Sequence, residues 1–124
     1  MEYLLVIPGR LPGLNEYISA ERANRYKAAK LKRESEDLIA VAIRKCLHGV
    51  HIRRPVYMEY YWFEKDIRRD CDNIAFAKKF IQDALVQCSI LKDDGRNYVV
   101  GFSDKFDVDK KNPRIEVLIR EADG

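Results

Sequence analysis

The sequence predicts an α+β fold in one domain, a mixed β-sheet with two main helices in the order β-α-β-α-β-β. Three observations predict it. Two long stretches repeat apolar residues at helical spacing, a central segment alternates them at strand spacing, and short apolar runs bounded by turn-forming residues occupy both ends. A chain of 124 residues, 47% of them hydrophobic, has the length for one hydrophobic core but not for two. With 35% charged residues it belongs to the globular class rather than the disordered one. No apolar run approaches the roughly 18 residues of a membrane span.

Residues 3 to 8 are expected to form the first strand, since Tyr3 to Ile7 are apolar and Pro8 and Gly9 end the run. The run is too short for a signal peptide. The loop from Gly9 to Asn15 carries two glycines and a proline, which turn the chain. A long helix is expected between about Tyr26 and Leu47, where Leu31, Leu38, Ile39, Ala42, Ile43, Cys46 and Leu47 share a face and Gly49 is the stop. Pro55 to Glu64 alternates Val56, Met58, Tyr60 and Trp62 with Tyr57, Glu59, Tyr61 and Phe63, which predicts a strand covered on both faces. From Asn73 to about Cys88 the stripe Ile74, Ala77, Ile81, Ala84, Leu85 and Cys88 predicts a second helix packed on the sheet, with Asp72 as its N-cap. After a turn at Asp93-Asp94-Gly95, strands are expected near Tyr98 to Phe106 and from Arg114 to Arg120, joined by the polar loop Asp107 to Pro113.

The net charge of +3 is mild, but its distribution is uneven. Arg22, Arg25, Lys27, Lys30, Lys32 and Arg33 crowd one stretch, and Arg53, Arg54, Lys65, Arg68 and Arg69 bracket the central strand. The first group is either a phosphate-binding surface or a solvated helix face, because Glu34, Glu36 and Asp37 follow it directly. Cys46, Cys71 and Cys88 are odd in number and lack Cys-x-x-Cys spacing, so neither a disulfide framework nor a zinc site is suggested. A reducing cytoplasm is the expected compartment. His48 and His51 have no cysteine or carboxylate at ligand spacing, and no Gly-rich loop ends in Gly-Lys-Ser/Thr.

Against this basic background stand two acidic clusters, Asp70 with Asp72 and Asp93 with Asp94. In an extended chain Asp70 and Asp72 point to the same side, roughly 6.5 to 7 Å apart. Magnesium takes one or two carboxylates together with water and substrate phosphate, a demand this pair and one further aspartate meet. The expectation is that the turn after the second helix brings Asp94 beside Asp70 and Asp72. Bland roles compete: a cap for Asp72, a salt bridge for Asp70, an ordinary Asp-Gly turn for the second cluster. On a helix wheel Lys79 points away from the apolar stripe, within about 20° of Asp72, where it could hold a phosphate, while Lys78 lies on the flank. Its bland alternative is an i,i+4 pair with Asp83.

The residues Arg68-Arg69-Asp70-Cys71-Asp72-Asn73-Ile74, then Asp83-Ala84-Leu85, then Leu91-Lys92-Asp93-Asp94 resemble the signature of the RusA family of Holliday junction resolvases. The loop from Pro12 to Asn15 and the element order agree with it. The resemblance implies a homodimeric endonuclease of a bacterium or phage that binds four-way DNA junctions and makes paired nicks with magnesium, for which manganese can substitute. The family's essential aspartates carry over to Asp70, Asp72 and Asp94, with Asp93 as the accompanying acid. The family's lysine lies four residues after the second aspartate, where this chain has Phe76. The segment before Asp83 is longer here, and aligning back from Asp83-Ala84-Leu85 puts Lys79 in that role, with Lys78 as the alternative. Arg68, Arg69 and Lys78 beside the first cluster, Arg25 and Lys27 in the basic stretch, and Asn15 in the loop are the expected DNA contacts. A noncatalytic nucleic-acid-binding protein of the same fold and a broader branched-DNA nuclease remain as competing readings.

Overall fold

The computed structural model describes residues 1 to 122. In chain order the elements are β1 (Glu2–Pro8), α1 (Leu14–Ala23), α2 (Arg25–Cys46), β2 (Val56–Glu64), α3 (Cys71–Ala75), α4 (Lys78–Gln87), β3 (Val99–Val108) and β4 (Arg114–Glu121). The four strands form one mixed sheet in the order β1-β4-β2-β3. β4 is antiparallel to both β1 and β2, and β2 is parallel to β3. Parallel neighbours need a long crossover, and the α3–α4 segment supplies it. The loop after β3 does not close a hairpin, because β4 inserts between β1 and β2.

The α+β class with a mixed sheet stands as the sequence predicts, but the element order is β-α-α-β-α-α-β-β. The helix expected between Tyr26 and Leu47 is α2, preceded by a further helix, α1, that the sequence pattern does not predict, and the helix expected from Asn73 to Cys88 is split into α3 and α4. α1 has no fully buried residue. Its apolar face is only the half-buried Leu14, Tyr17 and Ile18, of which Tyr17 packs against Phe76 and Phe80, a stripe too short to stand out as a helix. Asn24 separates it from α2 with extended backbone, its side chain accepting the Lys27 N–H at 2.8 Å as an N-cap. The second break falls after Ala75, where Ala77 N–H bonds the Ile74 carbonyl and Lys79 N–H the Phe76 carbonyl, the tight i→i+3 pattern. Periodicity is blind to so short an interruption, because the stripe from Ile74 to Leu85 passes through it unbroken.

Val56, Met58, Tyr60 and Trp62 of β2 are buried, and with Leu5, Ile7, Ile39, Ile43, Ile81, Leu85, Val117 and Ile119 they make the core. The opposite register of β2 is only half-buried and Tyr57 is exposed, which corrects the expectation of cover on both faces. Long side chains shield that face instead. The Arg114 guanidinium lies 3.9 Å from the Phe63 ring centroid, and Lys105 sits over Tyr61. Among the described residues no helix is long and apolar enough to cross a membrane.

Candidate functional site

Alternation along β2 places Glu64 in the buried register with Trp62, and a carboxylate there needs a cation. Arg69 provides it. Its Nε and Nη2 donate to the two Glu64 carboxylate oxygens at 2.8 Å each, and its Nη1 donates to the Leu11 carbonyl at 3.0 Å. This fork fixes the segment that leaves β2 and so the position of Asp70 beyond it. Arg69 is therefore not the DNA contact expected from the sequence: its side chain is 12% exposed and its charge is spent on Glu64. Glu64 went unnoticed in the sequence, although a charged residue at the end of a buried strand register, with an arginine close behind, is a readable signal.

Asp70 occupies the N-cap position of α3 without making a capping hydrogen bond, and Asp72 lies in the first turn. The expected N-cap at Asp72 is thus displaced, because the helix starts earlier than the apolar stripe. Asp72 Oδ1 accepts the Asn73 N–H at 2.9 Å. Both carboxylates are exposed, and neither has a cationic partner among the described residues. The start of α1 is tied to α3, with the Asn73 Oδ1 accepting the Asn15 N–H at 2.9 Å. Gly13 permits this approach, since a Cβ there would lie 2.5 Å from Asn73 Oδ1 and 2.9 Å from its carbonyl oxygen.

The two lysines at the start of α4 part company. Lys78 turns inward, 13% exposed, with its ammonium bonded to Asp104 and 3.8 Å from the Phe102 ring centroid. Asp104 is held in turn by the Trp62 indole N–H at 2.8 Å. Lys78 is a tie between α4 and β3, not the DNA contact expected of it. Lys79 is 64% exposed and stands 3.0 Å from Asp83 and 3.5 Å from Asp94. The hydrogen bond it donates to Asp83, followed by the charges of Asp83 and Asp94, holds its pKa above the ordinary lysine value despite some desolvation. The i,i+4 pair and the approach to the second acidic cluster are both present.

Asp93 Oδ1 accepts the Asp94 N–H at 2.9 Å, a local bond within the turn that leads to Gly95. Among the described residues no three acidic, histidine or cysteine side chains gather closely enough to hold a metal ion. The expected convergence of Asp94, or of Asp93, on Asp70 and Asp72 is therefore not formed in the single chain, where Asp94 is turned to Lys79 instead. Because Asp72 lies inside α3, the extended same-side spacing expected of Asp70 and Asp72 does not hold. Both are nonetheless exposed carboxylates without cationic partners among the described residues, the kind of oxygen donor that magnesium takes one or two of beside water and phosphate. Arg25, Lys27 and Arg68 are exposed, and Asn15 keeps an exposed side chain next to Asn73. No protein-family model matches the chain, and no curated protein matches it at a significant level.

Proposed function

We propose that this protein is a magnesium-dependent endodeoxyribonuclease that resolves four-way DNA junctions as a homodimer, in the manner of the RusA family that residues 68 to 94 resemble. The observation that carries the reading is the exposed, cation-free pair Asp70 and Asp72, positioned by the buried Arg69–Glu64 fork and flanked by the exposed cation Arg68. Asp70 and Asp72 would hold the metal, which supplies charge neutralisation at a phosphodiester and a more acidic water. Of the two lysines at the start of α4, Lys79 is the exposed one and would meet a phosphate by giving up its acidic partners, and Arg68, Arg25 and Lys27 would add phosphate contacts that fix register without reading bases. Asp94, with Asp93 beside it, reaches the metal pair only when Lys79 lets it go, so DNA competing for Lys79 couples substrate binding to the third carboxylate. A twofold dimer presents two such sites to strands of like polarity in a junction of matching symmetry.

The experiment is a nicking assay on a synthetic four-way junction, a flap and a linear duplex at equal salt, with and without magnesium or manganese. Paired nicks confined to the junction support the reading, as does loss of cutting with retained binding in Asp72→Asn. Equal cutting of flap and junction favours the broader branched-DNA nuclease. A second reading, a noncatalytic nucleic-acid-binding protein in which Asp94 stays paired with Lys79, predicts metal-independent binding and no nicks.

A further inference from the structure

We propose that a groove between Ile67 and Phe106 receives an unpaired nucleobase, while Lys65, Arg68 and Lys110 hold the phosphates of the same strand. The proposal rests on the nuclease reading for its place beside Asp70, and it adds the form of DNA bound there. The groove has a volume of about 310 Å3, with Ile67, Cys71, Ile74, Phe106 and Val108 as its apolar lining and the carboxylates of Asp66, Asp70 and Asp107 and the Glu64–Arg69 pair at its polar side. An apolar slot of that size falls at the small end of ligand sites. Ile67 is 88% exposed, more than any other large hydrophobic side chain among the described residues, and Val108 is 45% exposed. A scattered exposed isoleucine needs no explanation, but these two belong to one groove.

Phe106 gives the slot its chemical character. Tyr60 and Trp62 stack at 5.6 Å with planes 12° apart, and Trp62 and Phe106 continue the series at 6.5 Å and 13°. A planar base in the slot extends this ladder of rings. Asp107, also lining it, offers only acceptor oxygens, which suit the exocyclic amino groups of cytosine, adenine or guanine. A second groove of about 690 Å3 shares Ile67 and Val108 and is lined by Lys65, Arg68 and Lys110. Lys65 and Lys110 have no ion-pair partner among the described residues, and Arg68 has only Asp66 at 3.7 Å with its own side chain 87% exposed. A cationic track running into an aromatic-walled slot is the combination that single strands select, because their bases are free to leave the stack. Paired bases in a duplex cannot enter it.

The test is fluorescence anisotropy with a short single-stranded DNA and a blunt duplex of the same sequence, in EDTA so that cleavage plays no part. Ile67→Ser is expected to weaken single-strand binding about five- to tenfold and leave duplex binding and the salt slope unchanged. Lys65→Gln combined with Lys110→Gln is expected to weaken binding and lower the single-strand salt slope by about 1.4. Unchanged single-strand affinity in Ile67→Ser overturns the proposal, and so does an equal loss on duplex. Loss of self-association in that variant with DNA affinity intact overturns it too, by showing a second copy of the chain as the occupant. The two readings fail separately. Ile67-dependent binding by a protein that never nicks a junction removes the nuclease and keeps the slot, whereas nicking with Ile67 indifferent does the reverse.

Discussion

Lys79 bridges the helix that bears it and the second acidic turn, with its Nζ 3.5 Å from Asp94 and 3.0 Å from Asp83. Its neighbour Lys78 points into the protein against Asp104 and Phe102. Adjacent lysines thus have opposite duties, and substitution separates them. Lys79→Ala is expected to lower junction cleavage about 100-fold, the scale of losing one preorganised donor to a charged transition state, and to change stability by less than about 0.5 kcal/mol. Lys78→Ala is expected to destabilise by roughly 1 to 3 kcal/mol, because Asp104 loses a charge-assisted partner in a partly buried site. Urea denaturation with single-turnover cleavage checks both, and a reversed assignment would refute the division of roles.

The raised pKa of Lys79 gives a pH test. A group whose pKa rises on folding contributes stability that is complete below its unfolded value of 10.5 and disappears as pH climbs through the folded value. The ammonium therefore stays charged past the ordinary lysine range, chiefly through the hydrogen bond it donates to Asp83. In Asp83→Asn its titration is expected to move down toward 10.5, followed by NMR of the Lys79 Nζ and Cε signals. No movement would mean that the pair is not formed in solution.

What the sequence made legible, and what it hid, divides along a physical line. The alternation of β2 and the stripe from Ile74 to Leu85 are periodic because core burial is periodic, so strand and helix faces could be read in advance. α1 has no fully buried residue and only a short half-buried face, and the break after Ala75 leaves the stripe intact, so neither stood out in the pattern. The acidic clusters were visible as residues, but Asp94 and Asp72 are separated by tertiary geometry that no local spacing encodes. Charge alone likewise did not tell Arg69 from Arg68: one sits against a buried carboxylate, the other in solvent, and only the register of Glu64 distinguishes them.

The Glu64–Arg69 fork predicts an asymmetry in stability. Arg69→Ala strands a buried carboxylate and Glu64→Ala strands a nearly buried guanidinium, so each is expected to cost about 3 to 5 kcal/mol in urea denaturation. Arg68→Ala, next door but solvated, is expected to change stability by less than about 0.5 kcal/mol while weakening DNA binding at low salt. A loss below about 1 kcal/mol for both fork variants would show that the segment carrying Asp70 is held by something else.

Close packing of the Gly13 loop on α3 gives a backbone test of the site's scaffold. Gly13→Ala places a methyl group 2.9 Å from the Asn73 carbonyl oxygen as well as 2.5 Å from its side-chain oxygen, so one of the two chains must shift. The expected cost is roughly 1 to 3 kcal/mol. Adding Asn73→Ala removes only the side-chain clash, so the double variant is expected to recover part of the loss and not all of it. Full recovery would show that the backbone approach is looser than these distances require.

Magnesium alone, without DNA, tests whether two carboxylates suffice. A cation that binds only the folded chain raises stability by RT ln(1 + [L]/Kd), about 1.4 kcal/mol at ten times Kd, or a few degrees in Tm for a domain of this size. Asp70→Asn and Asp72→Asn are each expected to abolish the shift in a thermal melt with magnesium. Asp94→Asn is expected to keep it, since Asp94 rests on Lys79 in the free chain and magnesium accepts water in place of a third carboxylate. On the proposed function, in which DNA drawn onto Lys79 releases Asp94 to the pair, the same Asp94→Asn protein is nonetheless expected to lose cleavage. If Asp94→Asn removes the thermal shift as completely as Asp72→Asn does, the ion itself gathers all three aspartates, and Lys79 does not control access to the third.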